Sequence, residues 1–164
     1  MTRKILLCII NVSIGKGGAL AVAILTGEYH HQIDEKNRIR IPAKLKEALG
    51  SSPMIARGSN GCLFVFSKER AEKMFESTFN SDDFDESKTR ALRLMASSAA
   101  FPEEDKQGRI QLPASLIKAA GIEKNVVTIG AYDRVEIWSE ERWNAYVADG
   151  DMSFDECLRS LKNR

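Results

Sequence analysis

The chain has 164 residues, 43% of them hydrophobic, and its 24 basic and 23 acidic side chains leave a net charge of +1. That length fits one domain, or two small halves sharing a core. The near-neutral balance excludes a nucleic-acid binder that composition alone would announce, so an electropositive surface has to come from local clustering or from assembly of several subunits.

Residues 1–26 differ in pattern from the rest of the chain. Thr2-Arg3-Lys4 precedes the apolar run Ile5 to Ile10, and Ala19 to Leu25 is apolar again. Asn11, Ser13 and Gly15-Lys16-Gly17-Gly18 interrupt these runs, so neither a secretory signal nor the roughly 20 apolar residues of a membrane span is present. Gly15-Lys16 also lacks the upstream glycine and following Ser or Thr of a phosphate loop. The stretch reads as an extension outside the fold, of the kind an upstream start would add, and is expected to be poorly ordered without a partner over its apolar residues.

From Gly27 the elements run in order. Tyr29 to Ile33 reads as a strand, Asp34 to Asn37 as a turn, and Arg38 to Ile41 alternates as a half-buried strand does. Pro42 suits the first position of a helix running from Ala43 to Leu49, closed by Gly50. Met54 to Arg57 and Cys62 to Phe66 are strands around Gly58-Ser59-Asn60-Gly61, and Ser67 caps a helix to about Phe75. Asn80 to Asp83 reads as a turn and cap ahead of a helix from Glu86 to Met95. A strand near Ala99 to Pro102, a turn at Asp105 to Gly108 and a strand to Leu112 come next. A helix from Pro113 to Ala120 precedes strands Val126 to Ile129 and Arg134 to Trp138, with Ser139 capping a closing helix. Ser153 to Glu156 has capping-box spacing before a terminal helix.

The order β-β-α-β-β-α is thus written twice. Asp34 to Leu45 returns as Asp105 to Leu116 with Asp, Arg, Ile, the aliphatic before Pro, Pro, Ala and Leu in the same relative places. Long arrays with periods of 20 to 50 residues make solenoids. One duplication at about 71 residues instead implies two half-barrels, or a domain folding like a dimer of itself, with the paired turns on one face.

Asn37 and Gly108 hold the place in each turn that needs φ > 0. Asp34 and Asp105 open the turns, where a carboxylate accepts N–H groups two or three residues on, and Arg38 and Arg109 leave them. Each Asp could therefore fix its Arg. Two readings stand: a clamp that only stabilises the turn, or an arginine pre-organised for a phosphate or a guanine edge, with Lys36, Arg40 and Lys106 as backbone contacts. Duplication favours the second, because turn stability is achievable with many residue types.

Other groupings are weaker. Asp34 and Asp105 lack the Asp-Thr/Ser-Gly setting of a protease dyad. His30 and His31 are adjacent, so a strand points them to opposite faces and they cannot share a metal. Cys8, Cys62 and Cys157 are too scattered for a disulfide framework or zinc site and fit a reducing compartment, with Cys62 in the core. Phe64, Phe66, Trp138 and Trp143 read as packing residues. No nucleophile–base set is visible, so neither an enzyme nor a cofactor nor a metal is expected.

Gly27-Glu28-Tyr29, Asp34-x-x-x-Arg38-Ile-x-Ile-Pro-Ala, Gly61 to Phe66, Asp105 to Ile110 and Glu136-Ile137-Trp138 together resemble the MraZ family of the AbrB/SpoVT swapped-hairpin group, over about Gly27 to Trp143. The resemblance implies an α+β fold, a tandem pseudo-twofold repeat forming a swapped-hairpin β-barrel with flanking helices. It sets an extension at 1–26, a first repeat at 27–76, a connecting helix at 77–97, a second repeat at 98–143 and a C-terminal helix at 144–164. It implies a cytoplasmic, nucleoid-associated transcription regulator that represses the division and cell-wall gene cluster, including its own promoter. The partners implied are double-stranded DNA at short direct repeats and other copies of the chain in a ring-shaped homo-oligomer, with no membrane. Asp34, Arg38, Asp105 and Arg109 match the family's inserting turns. Asn37 in place of the commoner Gly, and the added charge of Arg40, depart from it and bear on base preference. The alternative is a non-enzymatic ring scaffold for protein partners.

Overall fold

Short β-branched and aromatic runs separated by turn formers build a sheet here, and the heptapeptides after Pro42 and Pro113 build helices. The computed structural model describes residues 24–79, 85–148 and 153–161. In chain order the first half gives β1 (Glu28–Gln32), β2 (Arg38–Ile39), α1 (Ala43–Leu49), β3 (Met54–Arg57), β4 (Leu63–Phe66), α2 (Lys68–Phe79) and α3 (Glu86–Ser98). The second gives β5 (Ile110–Gln111), α4 (Ala114–Ala120), β6 (Asn125–Gly130), β7 (Val135–Ser139), α5 (Glu140–Ala148) and α6 (Phe154–Ser160). The architecture is α+β: six helices among the described residues and an antiparallel five-stranded sheet in the order β1-β6-β7-β4-β3, beside a two-stranded ribbon of β2 and β5. Strand pairs that would close the sheet and the ribbon into a barrel are not formed among the described residues.

The two copies interleave. β1 pairs with β6, β2 with β5, and β4 with β7, each pair joining one copy to the other. Leu63↔Ile137 and Val65↔Val135 are one pairing with the copies exchanged, and Ile39↔Ile110 joins equivalent residues. No cut between the copies leaves a complete sheet on either side.

The core lies between one sheet face and the ribbon with its helices. Ile55, Leu63, Val65, Val126, Val135 and Ile137 from the sheet meet Ile39, Ile41, Ile110 and Leu112, closed by Leu45, Leu49 and Leu116. Full burial of each such side chain contributes about 1.5–3 kcal/mol. On the opposite sheet face Met54, Ala56 and Phe66 pack with Ala71 of α2 and Met95 of α3, while Cys62, Val127 and Trp138 pack with Trp143 of α5. Cys62 is buried as expected, and burial pushes its thiol up to about 12. His30 and His31 point apart. His30 is exposed between Glu28 and Glu140, and the half-buried His31 meets the Thr128 hydroxyl at 2.7 Å.

Several expectations need correction. The strand expected near Ala99 to Pro102 is a single bridge, Ala100 to Ile55. Pro102 has no N–H to give, and the Ser98 hydroxyl, not a strand carbonyl, accepts the Arg57 N–H. Pro42 and Pro113 sit one position before their helices, with extended ψ of 136° and 139°, and their carbonyls accept the first helical bonds. The helices after Ser67 and before Ala99 run longer than expected, to Phe79 and Ser98. The turn and cap placed at Asn80 to Asp83 lies outside the described residues, and Asp85 caps α3 by accepting the Ser87 N–H at 2.8 Å. The capping box at Ser153 and Glu156 forms.

The fold also reaches further back than Gly27. Leu25 is 5% exposed, belongs to the core, and exchanges two backbone hydrogen bonds with Tyr132, at 2.9 and 3.0 Å. Leu25 and Thr26 therefore belong to the folded unit and not to the extension. They cross β6 where Gly130 has no side chain: a Cβ there would lie 2.3 Å from the Thr26 nitrogen and 2.5 Å from the Leu25 carbonyl carbon. Gly130→Ala is expected to push this segment off β6 and lower stability by about 2–4 kcal/mol, within the range of core overpacking and lost burial. Thermal unfolding checks this, and an unchanged melting temperature would contradict it.

Candidate nucleic-acid interface

The ribbon of β2 and β5 presents its two faces differently. Ile39, Ile41, Ile110 and Leu112 alternate inward and are at most 5% exposed, so Arg38, Arg40, Arg109 and Gln111 fall on the opposite face. Each strand enters from a tight turn. The Asn37 N–H donates to the Asp34 carbonyl at 2.9 Å and the Gly108 N–H to the Asp105 carbonyl at 2.9 Å, with φ of 60° and 71° at the closing residues. The two turns thus share one backbone geometry although the residue differs.

Each aspartate divides its oxygens. Asp34 Oδ1 accepts the backbone N–H of Lys36 and of Arg38, both at 2.9 Å, and Asp105 Oδ1 accepts those of Gln107 and Arg109 at 2.9 and 3.0 Å. The bonds reach residues two and four further on, one step past the expected range. Oδ2 takes the guanidinium of the same turn. Arg38 Nε and Nη2 lie 2.9 and 2.8 Å from Asp34 Oδ2, and Arg109 Nε and Nη2 lie 2.9 and 2.7 Å from Asp105 Oδ2. The third nitrogen crosses over: Arg38 Nη1 stands 3.3 Å from Asp105 Oδ2, and Arg109 Nη1 3.3 Å from Asp34 Oδ2.

The four side chains make a closed, cross-braced ring of zero net charge. Each arginine side chain is 25% exposed, and the aspartates are 32% and 29% exposed. A guanidinium has five N–H donors, and three contacts occupy at most three of them. The ring therefore holds both arginines fixed while leaving donors on each. Sequence spacing predicted the contact within each turn; the crossing contacts have no local sequence signal beyond the duplication.

The guanidinium of Arg38, helped by the two backbone N–H groups, holds the Asp34 carboxyl below the usual carboxylate range, and Arg109 holds Asp105 down to about 2. A carboxylate with a depressed folded pKa adds stability that is fully present above its unfolded value and is lost as pH falls through the folded one. The stability gap between the native chain and Asp105→Asn is thus expected to stay constant from neutral pH to about 4 and to close as pH approaches about 2. Thermal unfolding across that range checks it. A gap that closes already near pH 6 would show that the ring does not set it.

The other expected site residues surround this ring. Lys36 and Lys106 are exposed at the two turn tips. Arg40 is exposed and its Nη2 donates to the Gln107 carbonyl of the opposite turn at 2.5 Å. Lys46 of α1 meets Glu104, just before the second turn, at 2.6 Å, a tie that sequence reading missed because 58 residues separate the two. Among the described residues, no group of three or more His, Cys, Asp or Glu is placed to hold a metal ion, and no helix is long and apolar enough to cross a membrane.

The arrangement is chemically a platform of immobilised cations, with no nucleophile in the ring. The family model described as "MraZ protein, putative antitoxin-like" matches twice, over residues 24–94 and 95–164. A protein of Heliobacterium modesticaldum is 44% identical over 136 residues, 82% of this chain and 94% of the relative. One of a Thermoanaerobacter species is 42% identical over 139 residues, 84% and 96% of the two chains. A third, of Ligilactobacillus salivarius, is 39% identical over 136 residues, 82% and 94%. All three bear the name transcriptional regulator MraZ, a non-enzymatic role. With two matches that together run from Ile24 to the end of the chain, and relatives similar over nearly their whole length, this chain belongs to the MraZ family.

Proposed function

We propose that this chain is a sequence-specific DNA-binding regulator of transcription, and that the cross-braced ring with its flanking cations is the surface that meets DNA. The observation that carries the reading is the fixed pose of two guanidiniums on one face, each with N–H donors to spare. A guanidinium held in place recognises guanine O6 and N7, or a phosphate, without the entropy loss of a mobile side chain. Asp34 and Asp105 orient Arg38 and Arg109, while Lys36, Lys106 and Arg40 contact the phosphate backbone. In the finer reading the interleaved copies are a swapped-hairpin barrel of the AbrB/SpoVT kind. Several copies in a ring then engage short direct repeats, repressing a division and cell-wall gene cluster that includes the chain's own gene, in the cytoplasm and on the nucleoid.

The ring is neutral and the whole chain carries only +1, so one subunit offers few net charges, and affinity has to accumulate over several subunits. A second reading has one observation in its favour: every charge of the ring is already matched within the chain, as in a purely structural clamp. On that reading the protein is a scaffold for protein partners. Mobility shift of promoter DNA across a salt series separates the two. Binding that weakens steeply from about 50 to 200 mM salt supports the regulator, since phosphate contacts release counterions. Absence of a shift at low salt supports the scaffold.

A further inference from the structure

The two halves of the site are nearly equivalent but not equal: Glu35, Lys36, Asn37 and Arg40 of the first copy stand where Lys106, Gln107, Gly108 and Gln111 stand in the second. Arg40 occupies the place that Gln111 holds in the second copy. Its Nη2 donates to the Gln107 carbonyl at the tip of the second turn, whereas among the described residues no matching bond runs from Gln111 to the first turn. The turns differ in the same sense. The first is closed by Asn37 at φ 60°, and the second by Gly108 at φ 71°, the residue with the greatest backbone freedom. The first turn is tied through the backbone instead, the Leu112 N–H donating to the Asn37 carbonyl at 2.8 Å, so the turn closed by glycine is the one that takes a side-chain brace. Among the described residues Arg40 is also the guanidinium on this face that meets no carboxylate, while Arg38 and Arg109 are each matched by two.

We propose that Arg40 is a positioning residue that pins the second turn and, by adding a charge that meets no carboxylate to the side that already carries Lys106, strengthens a polarity of the site along DNA. A strictly twofold site would lie on a duplex repeat in either direction with equal energy. The unequal turn tips break that degeneracy and Arg40 widens the difference: the second turn carries Lys106 with Arg40 beside it, while the first carries Lys36 next to Glu35 and is flanked by the neutral Gln111. A subunit with this polarity discriminates direct from inverted repeats. The polarity rests on the DNA-binding reading above; the pinning does not.

The tests separate the two. Arg40→Gln gives both copies the same residue, and Arg40→Lys keeps the charge without the planar fork. Hydrogen exchange on the full chain without DNA should show the Gln107 and Gly108 amides exchanging about two- to tenfold faster in Arg40→Gln, the effect of losing one exposed hydrogen bond on a local opening. The Lys36 and Asn37 amides should not change. Equal exchange in the native chain and Arg40→Gln, or equal acceleration in both turns, overturns the pinning. Binding is then measured on two duplexes, each with two copies of the repeat footprinted upstream of the gene, in direct or inverted orientation. The native chain should prefer the direct pair by at least about tenfold. Arg40→Gln should reduce that ratio severalfold and lower the salt slope by about one. Arg40→Lys should keep the slope but share the faster exchange. A ratio unaltered in Arg40→Gln overturns the part of Arg40 in the polarity. A native chain that binds neither duplex overturns the DNA-binding reading and the polarity with it, while the exchange result still decides the pinning.

Discussion

Replacing Arg38 and Arg109 together by alanine is expected to abolish promoter binding at physiological salt while leaving a folded, less stable protein. Each arginine that contacts a base edge contributes about 1–3 kcal/mol of discrimination. Loss at two places in every engaged subunit multiplies across the assembly. The structural cost is separate. Hydrogen bonds to charged partners stabilise less where solvent reaches and screens them, as it does here. The double variant also leaves Asp34 and Asp105 facing each other without a counter-charge, whereas now both carboxylates receive both guanidiniums. A fall in melting temperature of several degrees should therefore accompany the loss of binding. Arg38→Lys with Arg109→Lys keeps the charge without the planar fork, and should restore most of the stability and little of the binding. Binding restored as fully as stability would mean that the arginines serve DNA only as charges.

A large loss of stability is expected beneath the site and not in it. Ile39 and Ile110 are 1% and 2% exposed, pair directly across the ribbon, and form the footing shared by both turns. Ile39→Ala is expected to cost about 2–4 kcal/mol through lost burial and the cavity left behind. For a chain of this size that corresponds to a drop of roughly 5–15 °C. Ile39→Val should cost only about 0.5–1.5 kcal/mol. Differential scanning calorimetry gives both values. The two variants thus order oppositely: the arginine pair loses more binding than stability, and Ile39→Ala more stability than binding at temperatures where it remains folded. Similar loss of both quantities in both variants would mean that the turns and the core act as one unit with no separable binding surface.

Much of this was legible in the sequence because the information is local. The Asp-x-x-x-Arg spacing and the Asn37 and Gly108 positions determine turn geometry within five residues, and the boundaries of α1 and β3 are set by Pro42, Gly50 and the Gly58 to Gly61 turn. Non-local facts were not legible. Nothing in residues 99–102 says that Pro102 and Ser98 will reduce a strand to one bridge with Ile55. The apolar character of Leu25 looked like the tail of an extension, and only its pairing with Tyr132 makes it core. The duplication alone does not say how the halves close: β2 and β5 share two register pairs and stand apart from the sheet as a ribbon. At the site, each turn's own clamp was readable, but the crossing from Arg38 to Asp105 spans 67 residues and depends on how the copies interleave. The structural and functional readings of the clamp are not exclusive: the bonds that stabilise the turns also hold the arginines in one pose.

The most direct measurement is a footprint of the protein on DNA upstream of its own gene, made in parallel with the native chain and with the Arg38→Ala, Arg109→Ala double variant at a protein concentration where both are folded. The native chain is expected to protect a series of short, regularly spaced repeats in the same orientation, with protection fading as salt rises. The double variant is expected to leave the same DNA unprotected. Native protection that survives loss of both arginines, or no protection by the native chain at low salt, would contradict the assignment of this face to DNA.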